Sequence, residues 1–466
     1  MAAAMKLHSA MLFYILVYMD LFSFTISTLP NKYFSTKTPY AWTHPVPKPV
    51  EDELYYLKDI KGKACSAVHA SAVIRHGARY PGLDDVQEIS AVHDKLVLAM
   101  EPNINPELYN WVNRFPSNNN KALSSLGESE QEALGRRIAT KLSTLFSDED
   151  TSNFRFLVSS QERTKQSAAA FYEGFSSTIY GGEEAEDDFD SEVNDQLLRF
   201  FSLCAKYVFS VESNKTAFKE YFDFLSNERV VRIKEKIDKK LDIGPDVLTT
   251  ANIRLIYLVC GYETAVYDSS PWCSLLDESD MEILEYLGDL KHYYKNGYGY
   301  NITWQQSCPL VSEIFATMDE TIMDIENADD GEEPGGLLVG QFAFGHAETL
   351  GPLYSALGLF NDTLPLRADN YHQQSQRLFR TSNILPFSGN ILFVLYECVP
   401  DEFGEDEEIE EADYYLRMFV NEEPALIPGC EELYCPYNVV RDYYHDFVDQ
   451  CHFKKLCQRS EVKDEL

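Results

Sequence analysis

The 466-residue chain is short of positive charge: 40 Lys and Arg stand against 75 Asp and Glu, a formal net charge of −35. Nucleic acid and anionic membrane are themselves polyanions, so a general electrostatic attraction to either is excluded. A small anionic substrate is not excluded. A few arginines at contact distance outweigh surface charge that is screened beyond a Debye length of about 8 Å. Beyond Ile26 the chain also lacks any long apolar run, which leaves its body without a membrane-spanning segment, and it lacks an internal repeat.

What the chain does have begins at its ends. Lys6 precedes an apolar stretch from Met11 to Ile26, with small residues at Thr25 and Ser27, the pattern of a signal peptide over residues 1–27. The stretch is shorter than the roughly 20 residues that span a bilayer, and Asp20 interrupts it. At residues 463–466 the chain finishes Lys463-Asp464-Glu465-Leu466, a tail read by a KDEL-type retrieval receptor. Both ends predict the lumen of the endoplasmic reticulum.

The 10 cysteines fit that compartment, being an even set in a chain bound for an oxidising lumen. Most are expected to be bridged, and Cys430 with Cys435, and Cys260 with Cys273, are near enough in sequence to pair locally. Asn214, Asn301 and Asn361 each open an Asn-X-Thr acceptor for glycosylation, predicted to lie on the surface. Acidic runs at Glu183 to Asp190 and Asp401 to Asp413 read as solvated loops, with weak calcium binding as the sharper alternative.

The length exceeds what one hydrophobic core usually serves, so two domains are expected. Four apolar, β-branched runs read as buried strands: Ala67 to Ile74, Phe154 to Val158, Gly336 to Phe344 and Asn390 to Tyr396. Helical spacing of Leu134, Ile138, Leu142 and Leu145 places a helix between the first two. Strands alternating with helices predict an α/β fold with a mostly parallel sheet flanked by helices, whose binding crevice lies at the carboxyl ends of the strands. From Gln166 to Met323 the chain turns to charged, aromatic-rich segments without a convincing strand. This predicts a mainly helical domain at 166–323 inserted into an α/β domain made of 28–165 and 324–462.

The predicted strand ends carry the chemistry. The first runs into Arg75-His76-Gly77-Ala78-Arg79, the second is followed by Arg163, and the third delivers His346 and Glu348. Guanidinium forks match phosphate oxygens with paired, charge-assisted hydrogen bonds, so Arg75, Arg79 and Arg163 can cradle a phosphate. A neutral imidazole can attack phosphorus and form a phosphohistidine, which makes His76 the candidate nucleophile. Gly77 is expected to let the backbone bend and the phosphate approach closely. A carboxyl near accumulated negative charge can have a raised pKa and protonate the departing alkoxide, the role open to Glu348. No metal or cofactor is required. His69, His93, His292, His372 and His445 lack such surroundings. Lys215, Lys219, Arg229, Arg232, Lys234 and Lys236 read as solvated helix faces.

The string Arg75-His76-Gly77-Ala78-Arg79-Tyr80-Pro81 resembles the signature of the histidine acid phosphatases. The resemblance continues through Leu126-Gly127 with Gly135, Ser160-Gln-Glu-Arg163-Thr164, His346-Ala347-Glu348 and Pro386-Phe-Ser-Gly-Asn390, and spans most of residues 64 to 440. Most members place an aspartate directly after the second histidine. Here the carboxylate stands one residue further on, a form similar to the multiple inositol polyphosphate phosphatases, which also commonly end in a retrieval tail. The resemblance implies a three-layer phosphoglycerate mutase-like α/β fold with an inserted helical domain. It further implies His76 as nucleophile, Arg75, Arg79, Arg163 and His346 as phosphate ligands, and Glu348 as proton donor. The implied substrates are inositol polyphosphates such as inositol hexakisphosphate, with 2,3-bisphosphoglycerate as a further one. The competing expectations are a phosphomutase-like phosphoryl transferase, because mutases share the Arg-His-Gly motif, and an inactive luminal calcium buffer using the acidic runs.

Overall fold

The computed structural model describes residues 34–45, 60, 63–116, 118–143, 145, 153–181, 189–328, 338–400 and 412–459. The predicted signal segment, the terminal tail and most of both acidic runs lie outside the described residues. In chain order the principal elements open with β1 (Lys63–Arg75), α1 (Leu83–Ala99), α2 (Ser125–Lys141), β2 (Phe154–Val158), α3 (Glu162–Ile179) and β3 (Glu192–Val193). Four helices follow, α4 (Glu228–Leu241), α5 (Thr250–Tyr267), α6 (Glu278–Asn296) and α7 (Cys308–Glu326). Then come β4 (Gly340–Gly345), α8 (Ala347–Ala356), β5 (Asn390–Pro400), β6 (Asp413–Val420), β7 (Glu423–Ala425) and β8 (Tyr434–Pro436).

The strands form one sheet in the order β3-β2-β4-β1-β5-β6-β7, with β8 also pairing β6. Period-two alternation sorts its side chains into two cores. Ala72 and Ile74 of β1, Phe342 and Phe344 of β4, and Val394 and Tyr396 of β5 face α2 and α3, meeting Leu134, Ile138, Phe171 and Phe175. Val73, Ala343, Phe393 and Leu395 face the other way and share a core with Ile256, Leu287, Phe315 and Leu353 of the helices. Two helical layers thus enclose a central sheet, the three-layer α/β arrangement expected.

Four predicted strand runs correspond to β1, β2, β4 and β5, but the sheet is more mixed than "mostly parallel". β3, β2, β4 and β1 are mutually parallel, whereas β5 pairs β1 antiparallel and β6 to β8 add further antiparallel pairs. The segment after α8 brings the chain back so that β5 enters beside β1 from the site end, and successive strands then neighbour one another by direct reversal.

All ten cysteines are bridged. The two local pairs expected, Cys260–Cys273 and Cys430–Cys435, both form. Three others join distant segments: Cys65–Cys398, Cys204–Cys457 and Cys308–Cys451. Cys65 and Cys398 stand opposite each other in the β1–β5 register. Of the glycosylation acceptors, Asn301 and Asn361 are exposed, while Asn214 is half-buried and donates its amide to the Ser210 carbonyl at 3.1 Å.

An N-terminal arm, residues 34–44, lies against the site end of the sheet. Phe34 packs on Gly261 of α5, Ser35 Oγ meets Thr381 Oγ1 at 2.7 Å, and the Thr38 carbonyl accepts from Phe387 N at 2.9 Å. This places Lys37 in the lining of the same cleft as Arg79, Lys295 and Glu348.

Candidate active site

Parallel register brings the first set of residues together. Arg75 is level with Gly345, and Val158 with Phe344, so the residues that leave β1, β2 and β4 emerge at one edge. Backbone bonds lock the exits: His76 N donates to Gly345 O at 3.1 Å and Ser159 N to Phe344 O at 3.3 Å. His76, His346, Arg75 and Arg163 are gathered here as the sequence predicts.

His76 is buried, and its Nδ1 lies 2.9 Å from the Gly77 carbonyl. A carbonyl only accepts, so Nδ1 carries the proton and Nε2 keeps its lone pair. Burial, then the charges of Arg75, Arg163 and Arg79, hold the imidazole pKa well below its ordinary value, so the ring is neutral. His346 has the opposite tautomer. Arg163 Nη2 donates to its Nδ1 at 3.1 Å, and its Nε2–H donates to Ser159 Oγ at 3.0 Å. Burial and Arg163 push its pKa down to about 3. The two rings stand 5.6 Å apart between centroids.

Each arginine is anchored through at least one terminal nitrogen. Arg75 Nη1 donates to Leu385 O at 2.7 Å and its guanidinium lies 4.6 Å over the Phe387 ring. Arg79 Nη1 donates to Tyr80 O at 2.7 Å, and Arg163 Nη1 to Gln161 Oε1 at 3.2 Å. The Nε atoms of all three are buried and make no hydrogen bond within the protein. Burial and the neighbouring Arg79 lower the pKa of Arg75 to about 9 and of Arg163 to about 10. Crowded, desolvated cations with unpaired donors constitute an anion site, since an anion relieves both penalties.

Gly77 is required, though for a reason other than a bend. Glycines with positive φ among the described residues are Gly181, Gly358 and Gly429. A Cβ on Gly77 would fall 2.3 Å from Gly127 O, and one on Gly127 would fall 2.1 Å from Ala78 O. The loop after β1 and the start of α2 therefore touch through two glycines, which explains why both belong to the sequence pattern. From the same helix, Glu130 accepts from Ala78 N at 3.0 Å and Tyr40 N at 2.8 Å. Gln131 donates to Arg75 O at 2.9 Å and to Ser388 Oγ at 2.9 Å. Ser388, at φ 57°, is held in left-handed backbone by these bonds and by its N–H to His76 O at 3.2 Å.

Glu348 lies in the first turn of α8, two residues after the His346 cap. The expected raised pKa is reversed in the unliganded site. Burial raises it, but the charge and hydrogen bond of Lys295, the largest opposing cause, help to hold the carboxyl well below its usual value. Lys295 Nζ is 3.1 Å from Glu348 Oε1. Sequence reasoning missed this lysine.

The site opens into a cleft of about 280 Å³. Its lining includes Lys37, Lys121, Arg254, Lys291 and Lys295 with Arg79, against only Asp85 and Glu348 among carboxylates. His292, set aside in the sequence, is there too. The spacing of Lys291, His292 and Lys295 within one helix was the available signal. The basic residues read as helix faces lie away from the cleft: Lys219, Arg232, Lys234 and Lys236 pair with Asp223, Glu228, Asp238 and Asp277. Arg229 stacks over Tyr371, and Lys215 is exposed. His69 and His93 bond to the carbonyls of Leu338 and Leu108, as structural histidines do.

Residues 68–421 match the family model of the histidine phosphatase superfamily (branch 2), and the chain belongs to that superfamily. Within it the chain is similar to multiple inositol polyphosphate phosphatase 1 of Gallus gallus, 33% identical over 435 residues that cover 92% of this chain and 93% of the relative. The protein of that name from Homo sapiens is 30% identical over 455 residues, covering 94% and 91%. Among solved structures, a Bifidobacterium longum multiple inositol polyphosphate phosphatase in complex with inositol hexasulfate superimposes with a TM-score of 0.68 at 16% identity, covering 90% of this chain and 98% of that one. The phytase from D. castellii gives 0.68 at 17% identity, covering 91% and 87%. At these identities the structures establish a common fold.

Proposed function

We propose that the protein is a histidine acid phosphatase that removes phosphate groups from inositol polyphosphates, inositol hexakisphosphate and lower forms, with 2,3-bisphosphoglycerate as a further substrate. The observation that carries this reading is the set of three buried, unpartnered arginine Nε donors around a neutral histidine whose Nε2 is unprotonated. The names of the relatives supply the substrate class, and the many cations of the cleft suit a ligand with several phosphates.

In this mechanism Arg75, Arg79, Arg163 and His346 bind the scissile phosphate, and His76 Nε2 attacks phosphorus in line with the ester oxygen. The N–P bond forms as the P–O bond breaks, and Glu348 gives its proton to the departing alkoxide. The negative charge of a bound polyphosphate raises the Glu348 pKa from its depressed resting value. Glu348, now a carboxylate, takes a proton from the water that hydrolyses the phosphohistidine. Guanidiniums aimed at the equatorial oxygens stabilise the charge at phosphorus throughout. No step uses a metal or cofactor.

The proposed setting is the lumen of the endoplasmic reticulum, with retention through a KDEL-type receptor and glycosylation at Asn214, Asn301 and Asn361. Five disulfides support an oxidising compartment. Immunolocalisation with and without Lys463 to Leu466 tests it, retention without the tail being the contrary result.

The decisive experiment measures phosphate release from inositol hexakisphosphate. His76→Ala is expected to lose at least ~10³-fold, and unchanged release would overturn the mechanism. With an aryl phosphate, whose leaving group needs little protonation, Glu348→Gln should form the phosphohistidine and hydrolyse it slowly.

A further inference from the structure

Lys295 occupies an unusual position between two carboxylates. Its ammonium is 3.1 Å from Glu348 and 3.6 Å from Glu212, the latter at the end of a π-helical turn, Val208–Glu212. It also lines the cleft together with Lys291 and Lys37. One ammonium cannot pair at full strength with two carboxylates and a phosphate at once. A phosphate dianion carries more charge and more acceptor oxygens than a single carboxylate, and the four-carbon lysine stem can swing to it.

We propose that Lys295 is a substrate-operated switch on Glu348: its ammonium keeps the carboxylate ionised in the unliganded cleft, and a second phosphate of a polyphosphorylated ligand draws it away, so that Glu348 takes a proton from solvent. That proton passes to the ester oxygen as the P–O bond breaks. The proposal rests on Glu348 being the proton donor. It makes Lys295 a positioning residue that links the chemical step to the number of phosphates on the ligand. A single-phosphate alkyl ester fills the arginine cradle but brings nothing to Lys295, so Glu348 stays ionised and the step is slow.

The charges around Glu348 favour control by this one lysine. His346 on its own helix and His292 on α6 are both held neutral by burial. Arg75 and Arg163, from β1 and α3, are engaged by the scissile phosphate in every substrate. Lys37 of the arm and Lys291 of α6 act on Glu348 without a direct bond, Tyr207 is held neutral by burial, and Glu212 pairs with Lys295 and favours its charged form. Lys295 alone among these groups both touches Glu348 and faces the cleft.

The test is the pH dependence of kcat for inositol hexakisphosphate and for glycerol 2-phosphate, in the unmodified protein, Lys295→Met and Lys295→Arg. In the unmodified protein the alkaline limb for glycerol 2-phosphate should lie about one pH unit or more below that for inositol hexakisphosphate, a tenfold difference in proton affinity. Lys295→Met should raise the glycerol 2-phosphate limb by about as much and narrow the kcat ratio of the two substrates about tenfold. Lys295→Arg should retain the separation. Coincident limbs in the unmodified protein, or a glycerol 2-phosphate limb unmoved by Lys295→Met, would overturn the switch. If Lys295→Met fails to fold, the two limbs of the unmodified protein decide alone. A Glu348→Gln variant fully active on both esters would sink the proton-donor reading itself, whereas coincident limbs with an inactive Glu348→Gln would sink only the switch.

Discussion

At the sheet end of the site the cations are Arg75, which closes β1, Arg79 in the loop that follows, and Arg163 in the first turn of α3 after β2, on strands whose backbones are tied by register. On the helical side they are mainly lysines, Lys291 and Lys295 on α6 and Lys37 on the arm, with Arg254 on α5. Planar forks with five donors demand one orientation, while an ammonium on a flexible stem accepts many. The contrast teaches a division of labour: the rigid wall fixes the phosphate that reacts, and the adaptable wall receives the phosphates that do not.

That division can be broken at two points, one on each wall. The largest effect is expected on the rigid wall. Arg163→Lys removes the fork that donates to His346 Nδ1 and serves the cradle, and should lower kcat with inositol hexakisphosphate about 100-fold, read by phosphate release. A loss under fivefold would mean that orientation matters less there than charge. On the adaptable wall, Lys291→Ala should raise KM for inositol hexakisphosphate about tenfold while kcat falls less than KM rises, and the KM change should be smaller with a single-phosphate ester. A fall confined to kcat would erase the distinction between the walls.

The smallest effect separates burial from chemistry. His69, in β1 but bonded to Leu338 O and Thr321 Oγ1 rather than in the cleft, has its pKa lowered to about 4 by burial. Between that value and about 6.5 the unfolded chain binds a proton that the folded chain refuses, so stability falls as pH falls through the window. His69→Asn should make the slope of unfolding free energy against pH shallower there by about 1.4 kcal/mol per unit, with activity retained. An unchanged slope would mean that the folded protein accommodates the charged ring.

Legibility in the sequence followed the same boundary. Strands buried on both faces read as apolar runs, so β1, β2, β4 and β5 were visible, and the chemistry at their ends came with them. The short β3 has two exposed residues and no apolar run, and β6 to β8 follow the acidic segment. Nothing local to Asp413–Val420 announces an antiparallel partner. The helical wall was opaque for a different reason. Lys291 and Lys295 resemble any solvated pair four residues apart, and it is tertiary packing against α8 and the Val208–Glu212 turn that gives Lys295 its carboxylate partners. Disulfides divided likewise: separations of 13 and 5 residues were legible, and those of 333, 253 and 143 were not. Gly77 was picked out correctly, but the steric partner that requires it, Gly127, could be known only from the fold.

The placement of β1 has a consequence in time. It is among the first strands to be synthesised, yet its neighbours on either side are β4 and β5, which begin at Gly340 and Asn390. At translation rates of about 5–20 residues per second, an apolar strand with two unpaired edges waits on the order of 13–55 s for its first partner. Until β5 arrives, the loop that steadies Arg75 and Ser388 has no anchor, and Cys65 has no mate. The order of synthesis therefore delays every part of the site until the sheet can close around its oldest strand, and exposes that strand to misassembly for most of the chain's production.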